Sequence, residues 1–114
     1  MVAAEDTGWV NLTTKKGTWN YCQYRYKNGI VYIRGHATAY AWSGSTPDIM
    51  VANGTIPEAY RPSTDVDCVV RCAGSRWGQM GVGVTGAIFL DRVLNGTSAY
   101  TASNWIRFTV SYPI

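Results

Sequence analysis

The sequence predicts an all-β fold, an antiparallel β-sandwich with about eight short strands. Three observations carry that expectation. Apolar and polar residues alternate with period two, most clearly where Ile106, Phe108, Val110 and Tyr112 interleave with Trp105, Arg107, Thr109 and Ser111. Thr, Gly, Tyr, Val and Ser dominate, while good helix formers are sparse. Asn-Gly pairs at Asn28-Gly29, Asn53-Gly54 and Asn95-Gly96 are strong turn signals.

The elements follow in order. Residues 8–13 form the first candidate strand. Residues 19–27 and 30–39 flank Asn28-Gly29 as a hairpin, with Cys22, Tyr24 and Tyr26 on one arm and the run Ile30 to Ile33 on the other. Residues 48–52, 66–73, 79–84, 87–91 and 105–112 complete the set. Val66, Cys68, Val70 and Cys72 share a face, and Pro47, Pro57, Pro62 and Pro113 fall in loops or at strand ends. Residues 1–7 read as an N-terminal tail or linker, and residues 8–114 as a single β-sandwich domain.

Composition narrows the function classes. The chain has 114 residues, enough for one domain with a modest core. Only 15% of residues are charged, so much of the surface is neutral or covered by partners. A net charge of +3 without a Lys/Arg stripe gives no nucleic-acid footprint. No apolar run approaches the length of a membrane span, and Met1 to Asp6 lack the basic and apolar regions of a signal peptide. Five Trp and eight Tyr outnumber two Phe, and their polar edges suit contact surfaces and sugar stacking. Three cysteines, Cys22, Cys68 and Cys72, do not make a disulfide framework. On one strand Cys68 and Cys72 would stand about 13 Å apart, too far to bond. Cys22 could pair with either, and three free thiols is the favoured reading. No CxxC occurs and His36 is the sole histidine, so neither a metal nor another cofactor is expected.

Gly81-Val82-Gly83-Val84-Thr85-Gly86 matches GxGxxG literally, but a strand pattern follows it where a dinucleotide fold needs a helix. It reads as a glycine-rich strand or bulge at a sheet edge, or as a close backbone approach. Nothing ties His36 to a nucleophile, and no spacing pairs any of the seven acids for glycoside hydrolysis, so the chain reads as a non-enzyme. The sharper constellation is for saccharides. Tyr40 and Trp42 adjoin a Gly/Ser/Thr loop with His36 and Asp48 nearby, and Arg76 with Trp77 follows the turn at Ala73-Gly74-Ser75. An aromatic face can stack on a sugar's C–H face, Asp48 can accept from hydroxyls, and Arg76 can meet an acidic group. The competing reading is packing against a neighbouring subunit or the end of the fold. Trp9, Trp19 and Trp105 fall at strands and read as core or interface.

A pattern also runs along most of the chain. It comprises Asp6-Thr7-Gly8-Trp9-Val10-Asn11-Leu12, the stretch Tyr24-Arg25-Tyr26-Lys27-Asn28-Gly29-Ile30-Val31-Tyr32-Ile33-Arg34-Gly35, then Ile56-Pro57-Glu58-Ala59-Tyr60-Arg61-Pro62, Gly86-Ala87-Ile88-Phe89-Leu90 and the closing Tyr112. In order and spacing it resembles the C-terminal head domain of phage tail-fibre and baseplate receptor-binding proteins. Ala59 departs from the glycine usual in that family. The resemblance implies a jelly-roll-like sandwich, a homotrimer, and attachment to host cell-surface saccharide without cleavage. It also implies a tail shaft or baseplate protein as partner, and a place in the virion tail after synthesis in the bacterial cytoplasm. Neither nucleic-acid binding nor membrane insertion is implied. Alternatives are a standalone lectin or carbohydrate-binding module, and a purely structural virion or tail trimerisation domain. Saccharide-binding residues do not carry over from the family. His36, Tyr40, Trp42, Asp48, Arg76 and Trp77 are candidates on their chemistry alone.

Overall fold

A computed structural model describes residues 5–41, 48–74, 76–94 and 105–114, with residues 92–94 described by their backbone alone. Trp42, Ser75 and the turn expected at Asn95-Gly96 lie outside the described residues.

Among the described residues the fold is all-β and holds no α-helix. The strands are β1 (Val10–Asn11), β2 (Thr18–Lys27), β3 (Ile30–Ala39), β4 (Asp48–Val51), β5 (Val66–Cys72), β6 (Arg76–Val82), β7 (Ile88–Leu94) and β8 (Ile106–Pro113). A single 3-10 turn, Glu58–Tyr60, lies between β4 and β5. Each strand expected from the alternation forms. The first shortens to Val10–Asn11, because beyond Leu12 the chain leaves β2 and crosses to β4, where the Lys15 N–H donates to the Met50 carbonyl at 2.9 Å.

The strands make one antiparallel sheet in the order β1-β2-β3-β8-β5-β6-β7-β4, curled into a half-barrel. The β2–β3 hairpin turns at Asn28 and Gly29, whose φ angles are 52° and 86°. Two positive φ angles match the right-handed twist of the flanking strands, and Asn-Gly is the pair that adopts them at least cost. Between β5 and β8 the paired residues are Arg71↔Arg107 and Cys72↔Ile106, and the Ala73 N–H donates to the Trp105 carbonyl at 3.0 Å just beyond them.

Alternation places one side of every long strand on the concave face. Cys22 and Tyr24, Val31, Ile33 and Ala37, Met50 and Val51, Val70 and Cys72, Met80 and Val82, Ile88 and Leu90, and Ile106, Phe108 and Tyr112 together form the core. The loop after β4 closes one end. Tyr60 stacks on Tyr26 at 5.2 Å between centroids, and the Tyr112 hydroxyl donates to the Tyr60 carbonyl at 2.7 Å. Tyr60 thus plugs that end of the sheet. At the open edge, Lys16 meets Asp48 at 3.0 Å and the buried Tyr40 hydroxyl donates to the same carboxylate. The Lys15 N–H, bonded to the Met50 carbonyl, takes up one backbone acceptor of edge strand β4.

The three cysteines are free thiols. Cys22 and Cys72 are buried, and burial pushes the Cys22 thiol up to about 12. The GxGxxG stretch spans the end of β6 and the turn to β7. Phe89 stands opposite Gly81, and a β-carbon at Gly81 would fall 2.5 Å from its ring. The glycine is there for close approach, as its strand setting implied.

Candidate functional site

The convex face of the half-barrel carries the chemistry. A bulge in β2 between Trp19 and Tyr21 changes which residues face out. Trp19 turns inward, edge-on to Phe108 and Tyr40, while Tyr21 joins the outer face opposite His36. From there the register runs straight across the sheet. Tyr21 pairs with His36, His36 with Arg107, Arg107 with Arg71, and Arg71 with Trp77. Strands lie about 4.8 Å apart, so this row of five side chains spans about 19 Å.

Trp105 stands beside the row, just ahead of β8. Its ring takes the Arg107 guanidinium at 5.5 Å and the Arg71 guanidinium at 5.9 Å, both within cation–π range. The His36 ring meets Trp105 edge-on at 6.3 Å and Tyr21 at 6.0 Å, and its Nδ1 lies 3.4 Å from the Asn20 side-chain amide. His36, Thr38, Trp105 and Arg107 line a shallow depression of about 190 Å³. One row over, the Arg34 guanidinium lies 3.9 Å from the Trp9 ring and donates through Nε to Gln23 at 2.9 Å.

Charge on this face is unevenly compensated. At its far corner Arg25 binds Asp6 through two hydrogen bonds. Those bonds, aided by the Gly8 N–H, hold the Asp6 carboxyl well below the usual carboxylate range. Arg34, Arg71 and Arg107 have no carboxylate within ion-pair distance among the described residues. Arg71 and Arg107 are also direct cross-strand partners. Like charges in that position oppose pairing.

At the other end of the row, Trp77 is 44% exposed. It lines a groove of about 340 Å³ with Asp67, Cys68, Val69, Gln79 and Asp91. Here an indole face sits among two carboxylates and a side-chain amide.

The candidates named from the sequence divide accordingly. His36 and Trp77 lie on the row. Arg76 begins β6 next to Trp77 and turns its Nε back to the Ala73 carbonyl at 3.0 Å. Asp48 lies on edge strand β4, engaged by Lys16 and Tyr40. Tyr40 is a correction: its ring is fully buried, so it has no face to offer a sugar. The small residues around it suggested a loop, but the chain there packs Tyr40 against Trp19. Trp42 lies outside the described residues. Sequence reasoning missed Trp105, Arg107, Arg71 and Tyr21. The alternation of β8 already sets Trp105 and Arg107 on the polar side, but a tryptophan at a strand reads as core or interface. Among the described residues no group of three His, Cys, Asp or Glu side chains is placed to hold a metal ion.

The arrangement suits recognition of an extended polar ligand lying across the strands. Exposed aromatic rings supply stacking faces, Arg71 and Arg107 supply fixed donors, and Asp67, Gln79 and Asp91 supply acceptors. The chain matches no family model and no curated protein.

Proposed function

We propose that the chain is the receptor-binding head of a phage or prophage tail fibre or baseplate, adhering to host cell-surface saccharide without cleaving it. The observation that carries this reading is the cross-strand row ending at the exposed Trp77 and its groove. Stacking on Trp77, with Gln79 and the two carboxylates bridging hydroxyls, is the chemistry of a saccharide subsite. In the full reading the half-barrel is a jelly-roll-like sandwich and the head is a homotrimer joined to a tail shaft. The low charge fraction supports the trimer. Each site binds weakly, and three on one head supply avidity.

Two measurements test the reading. Light scattering on a sizing column should give about 38 kDa, three times the 12.5 kDa chain. A panel of immobilised bacterial surface polysaccharides should show binding by the wild-type head and no release of reducing ends. Trp77→Ala should lower that binding about tenfold while the oligomer persists, as loss of one aromatic stacking contact predicts. A monomer or dimer that binds saccharide would shift the reading to a lectin. A trimer that binds none would leave a structural tail domain. Reducing ends released by wild type but not by Asp67→Asn or Asp91→Asn would make it a depolymerase.

A further inference from the structure

Arg71 and Arg107 face each other across the short β5–β8 ladder, beside the pair Cys72↔Ile106. Opposed arginines weaken a sheet. Each could have found a carboxylate, and among the described residues neither has. Instead both guanidiniums lie within cation–π range of one indole, Trp105, which His36 meets edge-on at 6.3 Å. Two cations that share one aromatic ring and have no carboxylate partner among the described residues remain available to an anion. A site that breaks a local stability rule without internal compensation is where a ligand is expected to supply it.

We infer that Arg71, Arg107, Trp105 and His36 form an anion subsite that takes the carboxylate or phosphate of an acidic saccharide residue, while the Trp77 groove takes a neutral one. The inference rests on the saccharide-binding reading and adds the charge of the ligand. Arg71 and Trp77 are direct cross-strand neighbours, so the two subsites adjoin and suit consecutive residues of one chain. The arginines donate charge-assisted hydrogen bonds, which are shorter and stronger than neutral ones. A saccharide fits better than a nucleic acid. The cations form a compact cluster instead of a stripe, and Asp67 and Asp91 at the groove would repel a continuous phosphate backbone.

The test measures binding of the full chain to three immobilised polysaccharides: polygalacturonate, phosphomannan and neutral dextran. Wild type, Arg71→Gln, Arg107→Gln and Trp77→Ala are compared at 50 and 300 mM NaCl. Wild type should prefer at least one acidic polymer to dextran by tenfold or more, and salt should erase much of that preference. Preference for polygalacturonate assigns a carboxylate, and preference for phosphomannan assigns a phosphate. Each arginine variant should lose about tenfold on the preferred polymer. The same variants should melt at or above the wild-type temperature, because each relieves the opposed pair. That readout separates a binding role from a structural one. Trp77→Ala should weaken binding to all three polymers alike.

Equal wild-type binding to dextran and the acidic polymers, lost in Trp77→Ala and kept in the arginine variants, would overturn the anion subsite and leave the saccharide reading standing. No binding to any polymer would overturn both. Tighter binding to a single-stranded oligonucleotide than to any polysaccharide would overturn the saccharide assignment. Arginine variants that melt well below wild type would show the cluster to be structural.

Discussion

Gly35→Ala is a small substitution that should have a measurable cost. Gly35 sits mid-strand in β3 with its α-carbon facing Phe108 across the β3–β8 ladder. An added β-carbon would lie 2.5 Å and 2.6 Å from two carbons of the Phe108 ring and 3.0 Å from the Trp19 ring. Ordinary carbon contacts need about 3.5–4.0 Å, so the rings must move by about 1 Å. They have little freedom to do so. Phe108 is buried, Trp19 meets it edge-on at 6.2 Å, and Trp19 is held by Tyr40 at 6.1 Å and by an indole hydrogen bond to the Lys16 carbonyl at 2.7 Å. Overpacking of this kind costs about 1–3 kcal/mol. Lower entropy of the unfolded chain returns about 0.4–1 kcal/mol. The net loss is therefore about 1–2 kcal/mol. An unfolding entropy of about 2.1 cal/mol/K per residue converts this to a Tm drop of about 4–8 °C for the 114-residue chain. Urea titration followed by tryptophan fluorescence, with a thermal melt by circular dichroism, measures both quantities. Phe108→Leu supplies the control. Alone it leaves a cavity, but combined with Gly35→Ala it makes room for the new methyl, and the pair should couple by about 1 kcal/mol. A Gly35→Ala protein within 0.5 kcal/mol of wild type, or a strictly additive double variant, would refute the packing argument.

Other outcomes follow from the buried polar groups. Tyr40→Phe removes the hydroxyl that donates to Asp48 and should cost about 1 kcal/mol, whereas Tyr40→Ala empties a fully buried ring site and should cost about 3–5 kcal/mol. Neither should change saccharide binding per folded molecule, which a titration on stability-matched samples would check. Alkaline pH should destabilise the fold. The Cys22 thiol ionises near its ordinary 9.0 when unfolded but is held to about 12 when folded, so its contribution is complete below pH 9 and is lost as pH rises toward 12. Cys68, raised to about 11 chiefly by burial and secondarily by Asp67, acts in the same direction. Urea midpoints taken between pH 8 and 11 should fall with pH, and Cys22→Ala should flatten that slope.

Much of the architecture was legible in the residues because strand signals are local. Alternation along Val66 to Cys72 and Ile106 to Tyr112 marks both the strand and its buried side, and Asn28-Gly29 specifies its turn through two φ angles. The free thiols were legible too, since extended backbone holds Cys68 and Cys72 apart. The candidate site was legible only in part. His36 and Trp77, which lie on the row, were named by proximity along the chain to small polar residues, the same reasoning that misplaced Tyr40. Trp105 and Arg107 were on the outward side of their strand from the start. Nothing in their own segment showed that Arg71 would arrive opposite.

The sequence by itself determined that this is a β-protein, where its strands run and which side of each strand seeks the core, because those properties depend on neighbours two residues away. Tertiary structure alone decided the order β1-β2-β3-β8-β5-β6-β7-β4 and the bulge that turns Tyr21 outward. From those two features comes the row that joins Tyr21, His36, Arg107, Arg71 and Trp77. Register across a sheet is set by packing over the whole concave core. A surface assembled from five strands therefore exists only once that core has closed.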